Sequence, residues 1–403
     1  MSARIVITGL GVVSPIGCSV ETFRANLFAG KSGIGTIDLP CRGETIPFPA
    51  APVQDFHIED YMDAKQASFL DRFAQFAVGA ATQALRCSGL SAEESRSMAV
   101  ITGTGVGGQN TQEESYTKLL DPNGSGRVHP FTIPRLMANA GTSQISMALG
   151  LQGPGFTVAS ACASALHAMG VALSMLRLGL VEAVMTGGAE SCLTLGTLRG
   201  WEALRVMSPD LCRPFSAGRA GLVLGEGAAM FVFETEEKAR ARGAKIYAEC
   251  LGFGMSSDAK DLTTPDAEGA ARAITNCLRD AQLAPEQIDY INAHGTGTRL
   301  NDSTETQAVK LALGRHATKV ALSSSKSLFG HALGAAGALE LLATILALRE
   351  NIAPPTLNYQ GADPACDLDY VPNQARPMPM NIALKNAFAF GGLNASLALG
   401  TGT

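Results

Sequence analysis

Apolar, strand-like segments alternate with helix-like segments along this chain, and the alternation restricts the folds that it can adopt. The predicted strands are Ile5–Thr8, Met98–Thr102, Phe156–Ala159, Ala183–Thr186, Ala228–Glu234, Lys245–Leu251, Tyr290–Ala293, Val320–Ser323 and Asn386–Ala389. The predicted helices are Ala74–Ser88, Ala163–Leu178, Gly269–Ala281 and Leu333–Arg349. Because parallel strands need long crossover connections, usually helical, this order predicts an α/β fold with largely buried sheets.

The two halves of the chain repeat one pattern. The segment Val158–Cys162 ends a strand in small residues and precedes a long apolar helix, and Val320–Ser325 similarly precedes His331 and a second apolar helix. Two such halves facing each other would bring both helix starts to one central site. We therefore predict an internal duplication with halves at residues 1–243 and 244–403.

Composition excludes several classes of protein. A chain of 403 residues with 46% apolar and 17% charged residues is long enough for two sizeable cores. The net charge of −5 argues against wholesale nucleic-acid binding. The nine cysteines are scattered, odd in number and without CxxC pairs, which indicates reduced thiols in a cytoplasmic protein rather than disulfides or a zinc site. The lack of an apolar run of 18 residues predicts no membrane span.

Cys162 lies where a predicted strand turns sharply into a helix. Backbone N–H groups at a helix start, together with the helix dipole, favour a thiolate at this position. The small neighbours Ala161, Ala163 and Ser164 would let a substrate carbonyl approach the sulfur. The alternative is a buried structural cysteine, which is the commonest fate of a free thiol.

His294 follows the apolar strand Ile288–Ile291 and precedes a turn rich in Gly and Thr. A lone histidine is more often structural, but the flanking glycines favour a ring that faces a cleft. The hydroxyl groups of Thr296 and Thr298 could bind a polar, amide-bearing arm.

A second histidine, His331, is expected to begin the next apolar helix, whose start would lower the pKa of the imidazole. Lys326 lies among small, buried-looking residues, although it could also be a surface charge. Glu340 follows His331 by nine positions and could pair with Lys326 if the strand end folds back. Near the C-terminus, Phe388-Ala-Phe390-Gly-Gly is either a hairpin turn or a mobile gate whose N–H groups face an oxyanion.

Four segments follow one another along the chain: Cys162, His294-Gly-Thr-Gly-Thr, Lys326…His331 and Phe390-Gly-Gly. In this order they resemble the β-ketoacyl-acyl-carrier-protein synthases, and the resemblance covers nearly the whole chain. The chain looks most like the elongating type of type II fatty-acid synthesis, with features similar to nodulation and polyene-pathway synthases. The resemblance implies a thiolase fold, with duplicated halves in five αβαβα layers. It also implies a dimer, either of identical chains or with a related ketosynthase-like subunit.

The resemblance assigns a role to each candidate residue. It implies Cys162 as nucleophile, His294 and His331 as the decarboxylation pair, Lys326 and Glu340 as their support, and Phe390 as the gate. Thr296 and Thr298 would line the phosphopantetheine tunnel, and Val106, Met137 and Trp201 the acyl pocket, with Met137 reaching in from the dimer partner. Arg205, together with Lys65 and Arg72, is expected to contact the acidic carrier protein.

The implied reaction is a decarboxylative Claisen condensation in fatty-acid or specialised polyketide synthesis. An acyl chain would form a thioester with Cys162 and then react with malonyl-carrier protein. Neither metal nor redox cofactor is expected, because the phosphopantetheine arm arrives with the carrier protein. Ala389, Leu393 and the bulky Trp201 depart from the usual residues of housekeeping enzymes, which puts that particular role in doubt.

Three other classes of protein share parts of this pattern. A non-catalytic chain-length-factor subunit shares this pattern but lacks the nucleophile that Cys162 would supply. The GxGxxG pattern of Gly103–Gly108 suggests a dinucleotide-binding oxidoreductase. This pattern alone is weak evidence, because no convincing acidic residue ends a strand about 20 residues further on. A degradative thiolase would carry a second cysteine near the C-terminal Gly-rich turn, where this chain has Phe390-Gly-Gly.

Overall fold

The computed structural model describes residues 3–402. Its strands are β1 (Ile5–Val13), β2 (Gly35–Cys41), β3 (Glu44–Ala51), β4 (Ala99–Gly103), β5 (Gly155–Val158), β6 (Ala183–Glu190), β7 (Leu224–Gly225), β8 (Gly227–Thr235), β9 (Ala248–Ser257), β10 (Tyr290–Asn292), β11 (Ala321–Ser323), β12 (Ile352–Ala353), β13 (Arg376–Pro377), β14 (Ile382–Ala389) and β15 (Leu393–Gly400). Within these residues, ten strands form one mixed sheet in the order β11-β10-β14-β15-β9-β1-β8-β6-β4-β5. The predicted α/β class is confirmed.

This sheet contains the same five-strand unit twice. In the N-terminal unit, β8 is antiparallel to β1 and β6, whereas β4 is parallel to β6 and β5. In the C-terminal unit, β15 is antiparallel to β9 and β14, whereas β10 is parallel to β14 and β11. The two units meet where β1 pairs with β9. The repeated order of strands is the internal duplication that the sequence predicted.

The helices cover and separate the two units. They are α1 (Val20–Phe28), α2 (Ala64–Ala67), α3 (Arg72–Ser88), α4 (Ala92–Ser95), α5 (Gln109–Leu120), α6 (Thr132–Leu136), α7 (Ala140–Leu149), α8 (Ser164–Arg177), α9 (Leu195–Ala203), α10 (Glu236–Ala241), α11 (Ala267–Ala281), α12 (Arg299–Leu313), α13 (Lys326–Phe329) and α14 (Ala336–Glu350). Helices α8 and α14 pack against each other and against both units, whereas α3 and α11 each pack against one unit. The result is an αβαβα arrangement with α8 and α14 in the central layer.

The central position of α14 follows from its sequence. Every residue from 336 to 348 is buried, and the helix is apolar all round rather than on one face. Such a helix is stable only inside a protein. Its packing against α8 brings the N-terminal ends of both central helices toward the same part of the molecule.

Two boundaries differ from the sequence prediction for local reasons. His331 does not begin a helix, because Leu333 has φ +40° and a short 3₁₀ turn, Leu333–Ala335, precedes α14. Strand β1 continues past Thr8 to Val13, because Gly9 and Gly11 let the strand lie directly against the backbone of α3. A Cβ atom at either glycine would clash with a carbonyl oxygen of that helix.

A small three-stranded sheet of β2, β3 and β7 flanks the core. None of the helices within residues 3–402 is long and apolar enough to cross a membrane.

Candidate active site

The side chains of Cys162, His294 and His331 meet in one buried cluster. His331 Nε2 lies 3.1 Å from Cys162 Sγ, and the two imidazole rings have centroids 5.4 Å apart at an interplanar angle of 85°. The sulfur and one nitrogen of each ring all lie within 4.8 Å of one another. The structure therefore brings together three residues from different parts of the sequence, as the duplication predicted.

A tight turn between β5 and α8 presents the thiol to this cluster. Ala161 has φ +50°, a left-handed conformation that is unusual for a residue with a side chain. Ser164 fixes the turn, because its Oγ accepts a hydrogen bond from Ser160 N at 2.8 Å and donates one to Ala161 O at 2.6 Å. This conformation places Cys162 just before the first turn of α8.

The protonation state of Cys162 differs from the sequence prediction. Burial raises the pKa of the thiol to about 11, although the Lys326 ammonium and the Phe390 backbone N–H act in the opposite direction. The predicted resting thiolate is therefore wrong at neutral pH, because loss of water around the sulfur outweighs these favourable interactions. Cys162 rests as a thiol with an imidazole nitrogen within hydrogen-bond distance.

The two histidines are both buried, and the backbone fixes the position of His331. His331 follows Gly330, which has φ +70°, and its backbone N–H donates to Val223 O at 2.7 Å. Burial, followed by the nearby positive charge of Lys326, lowers the pKa of both rings well below the usual value. Both imidazoles are therefore neutral. The cause for His331 is burial, not the helix start that the sequence suggested.

Lys326 and Glu340 form the pair that the sequence anticipated. Both side chains are fully buried, and Lys326 Nζ lies 2.5 Å from Glu340 Oε1. The same ammonium group donates to the backbone carbonyl of His294 and lies 3.3 Å from its Nδ1. Because an ammonium group can only donate, Nδ1 acts as the acceptor, and the ring proton of His294 is placed on Nε2.

Three buried charged residues that support the site were not identified from the sequence. Glu305 accepts hydrogen bonds from the backbone N–H groups of His294 and Gly295, at 2.8 and 2.7 Å. Glu190 joins the two halves of the chain, since it accepts from both Gly105 N and Gly334 N. The third, Lys385, lies in the middle of strand β14 and contacts Glu340.

Glu190 also explains the glycine-rich segment Gly103–Gly108. The backbone N–H groups of Gly105 and Val106 are directed to the Glu190 carboxylate, at 2.5 and 3.4 Å, and Thr104 Oγ1 donates to it at 2.8 Å. These donors are therefore already used by an internal anion. This arrangement argues against a dinucleotide pyrophosphate at this turn.

A cavity of about 550 Å³ leads from the surface to Cys162, His294 and His331. Thr296 and Thr298 line it, and their hydroxyl oxygens lie 2.9 Å apart. Further residues on its wall, including several that the sequence did not single out, are Arg205, Leu262, Thr263, Arg299, Phe388 and Phe390. The arrangement suits an extended, amide-bearing arm that ends at the thiol.

Of the three residues assigned to the acyl pocket, two lie outside the cavity and the third contacts the Phe390 ring. Trp201 lines the cavity, but its indole stacks on the Phe390 ring, with centroids 5.5 Å apart and an interplanar angle of 23°. Val106 and Met137 lie outside the cavity and are 44% and 46% exposed. Within this chain, neither residue lies on the wall of the cavity that reaches Cys162.

The three basic residues that are expected to contact the carrier protein differ in their surroundings. Arg205 is exposed at the cavity, and its contact with a carrier protein stays a prediction. The Arg72 guanidinium instead forms an ion pair with the buried Glu226 carboxylate at 2.8 Å and lies over the Phe76 ring. The Arg72 guanidinium is thus already paired with a carboxylate of the same chain. Lys65 lies on the short helix α2 and is exposed.

Comparison with known proteins agrees with this arrangement. Residues 2–239 match the family described as Beta-ketoacyl synthase, N-terminal domain, and residues 247–360 match Beta-ketoacyl synthase, C-terminal domain. The fold and the buried thiol thus define an acyltransferase with the thiolase fold. The chain belongs to the β-ketoacyl synthase family. The division predicted at residue 243 lies between the two matched segments and stays a prediction.

Individual relatives cover the full length of the chain. Nodulation protein E of Rhizobium sp. (strain N33) is 45% identical, and the alignment covers 99% of both chains. The 3-oxoacyl-[acyl-carrier-protein] synthase 2 of Coxiella burnetii is 44% identical over 98% of both chains. A solved structure described as the ishigamide ketosynthase/chain length factor has a TM-score of 0.95 at 36% identity and covers all of both chains.

Proposed function

We propose that this chain is a β-ketoacyl-acyl-carrier-protein synthase that condenses an acyl group on Cys162 with malonyl-carrier protein. The observation that supports this best is the buried cluster of one thiol and two neutral imidazoles at the end of a cavity. The product is a 3-ketoacyl chain on the carrier protein. The chain acts in fatty-acid-like synthesis or in a specialised polyketide or polyene pathway.

In the first stage, the acyl group moves from the carrier to the enzyme. His331 Nε2, 3.1 Å from the sulfur, accepts the thiol proton as Cys162 attacks the thioester carbonyl. The new sulfur–carbon bond forms, the bond to the pantetheine sulfur breaks, and the proton passes to that leaving sulfur. The backbone N–H groups of Cys162 and Phe390 hold the oxyanion, an interaction typically worth about 10²–10³ in rate for each donor.

In the second stage, malonyl-carrier protein loses carbon dioxide. His294 donates from Nε2 to the thioester oxygen, because Lys326 keeps Nδ1 as an acceptor. Once Cys162 is acylated it no longer shares a proton with His331, and His331, in the tautomer with its ring proton on Nε2, donates to the same oxygen. The resulting enolate carbon attacks the Cys162 thioester, and the carbon–sulfur bond to the enzyme breaks. The Cys162 sulfur leaves as a thiolate and takes up one proton from solvent, which restores the resting thiol.

The substrates and partners follow from the same site. The phosphopantetheine arm of an acyl-carrier protein passes Thr296 and Thr298, and Arg205 contacts the acidic carrier at the surface. The thiol and the two imidazoles carry the chemistry, so the proposal needs no metal and no redox cofactor. We further propose that the chain works as a dimer, with a second copy or with a related ketosynthase-like subunit.

The test separates the two stages. Cys162→Ala is expected to abolish condensation but to keep measurable decarboxylation of malonyl-carrier protein, since the two imidazoles remain. Carbon dioxide release and the 3-ketoacyl product are measured in parallel, with His294→Ala as the variant expected to lose decarboxylation. Condensation by Cys162→Ala at the wild-type rate would contradict the proposal.

A further inference from the structure

Lys385 is a buried cation that the proposed chemistry does not use. It lies in the middle of β14, where seven of the eight residues are buried, and its side chain is fully shielded from solvent. A charged group in such a place is costly unless it is paired and hydrogen-bonded. The groups that contact the Lys385 ammonium should therefore indicate the role of this residue.

Apart from a hydrogen bond to the carbonyl oxygen of the neighbouring Asn386, these contacts lead to the backbone and side chains around His294. Lys385 Nζ lies 2.7 Å from Glu340 Oε2, whereas the other oxygen of this carboxylate is held by Lys326. The Lys385 ammonium also lies 3.4 and 3.5 Å from the carbonyl oxygens of Ala293 and Asn292, the two residues immediately before His294. Within residues 3–402, Glu340 Oε2 has no other polar partner.

The Glu340 carboxylate thus pairs with two lysines, and this double pairing holds the Lys326 ammonium in position. With Lys385 in place, each carboxylate oxygen has its own cation, and Lys326 remains directed at Oε1 and at Nδ1 of His294. Without Lys385, the carboxylate would be buried with one cation for two oxygens, and the Lys326 ammonium would be drawn away from the imidazole. The carbonyl groups before His294 would also lose a donor.

We propose that Lys385 is a positioning residue for His294 and therefore for decarboxylation of the malonyl thioester. It holds the end of β10 through two carbonyl groups and holds Lys326 through the shared carboxylate. This inference rests on the proposed function. It adds a second buried lysine to the pair of Lys326 and Glu340, and it assigns that lysine to the second stage of the reaction.

The experiment compares Lys385→Met with wild type in both stages. Loss of the ammonium group should lower kcat for malonyl decarboxylation by about tenfold or more, a part of the 10²–10⁴ that positioned proton donors contribute. KM for malonyl-carrier protein and the rate of Cys162 acylation should stay within about threefold of wild type, since Lys385 does not contact the thiol. Equal losses in both stages would show general damage and overturn the proposal.

Two further variants control for folding. Lys385→Gln keeps a donor for the carbonyl groups without the charge, and it should recover part of the lost kcat. Lys310→Met removes a lysine that pairs with Asp367 at the surface and should leave both stages unchanged. If Lys385→Met decarboxylates at the wild-type rate, or if both Lys385 variants fail to fold, Lys385 has no positioning role. Wild type that does not decarboxylate would instead overturn the proposed function itself.

Discussion

At the scale of single residues, the site combines an uncharged thiol with uncharged imidazoles, and all three side chains are buried. Burial sets all three protonation states, because it raises the pKa of Cys162 and lowers those of His294 and His331. A neutral resting site avoids the cost of a buried unpaired ion. In the proposed mechanism, the thiol loses its proton to His331 as the sulfur attacks the substrate.

This account predicts how alkylation of Cys162 depends on pH. Because the thiolate is the reactive form and the pKa is about 11, the rate with iodoacetamide should rise about tenfold per pH unit from about pH 7 to about pH 9. The rate is measured by mass spectrometry of the Cys162 peptide, with unrelated cysteine peptides of the same digest for comparison. A rate that is already constant above pH 8 would show a resting thiolate and contradict the account.

At the scale of elements, two of the candidate catalytic residues follow strand ends, and these strand ends could be predicted from the sequence. Cys162 and His294 each follow an apolar strand that ends in small residues, so the pattern was sufficient to find them. Lys385 was not found, because nothing in β14 itself indicates that Glu340 lies opposite. The start of α14 was misplaced for a related reason, since the left-handed Leu333 depends on the tertiary contacts of the adjoining Gly334 with the loop of Gly105.

The predicted gate at Phe390 is a second feature at this scale, because the Phe390 ring connects two elements. Phe390 lies between β14 and β15, and its ring stacks on Trp201 of α9, a type of contact worth about 0.5–1.5 kcal/mol beyond burial. Gly391 and Gly392 follow with φ +83° and +68°, in the left-handed region that glycine adopts at no cost. Movement of the Phe390 ring would therefore break the stack with Trp201.

Trp201 is the only tryptophan of the chain, so its fluorescence reports on the gate. We expect acylation of Cys162 to displace the Phe390 ring and to change the intensity or wavelength of tryptophan emission. The matched variant Phe390→Leu removes the stacked ring, so it should start with altered emission and change little on acylation. Identical responses of wild type and Phe390→Leu would show that the gate does not move against Trp201.

At the scale of the whole molecule, the duplicated sheet brings the ends of equivalent strands from both halves together. Nine of the ten strands of this sheet and both central helices were predicted from the apolar pattern of the sequence, whereas β15 and the pairing order of the strands were not. The exposure of Val106 and Met137 could not be predicted, because both lie outside the cavity in this chain and the apolar pattern does not indicate what surrounds them. Several neighbouring apolar residues are likewise exposed, among them Phe131, Ile133, Met147 and Phe156.

Strand β5 lies at the edge of the ten-stranded sheet, with Phe156 39% exposed on it. An exposed apolar edge strand favours pairing with another chain. We expect Phe156→Lys to reduce the mass measured by light scattering from two chains to one. Leu178→Lys, a change at an exposed leucine after α8, should leave the mass unchanged. A dimer that persists in Phe156→Lys would contradict the use of this edge.

The central claim is that Cys162 accepts an acyl chain within the cluster formed with His294 and His331. The most direct test incubates the protein with a panel of acyl-carrier proteins and measures intact mass, followed by peptide mapping. The account predicts a mass increase equal to one acyl group, located on Cys162 and lost in Cys162→Ala. An acyl group on another residue, or equal loading of the two proteins, would contradict it.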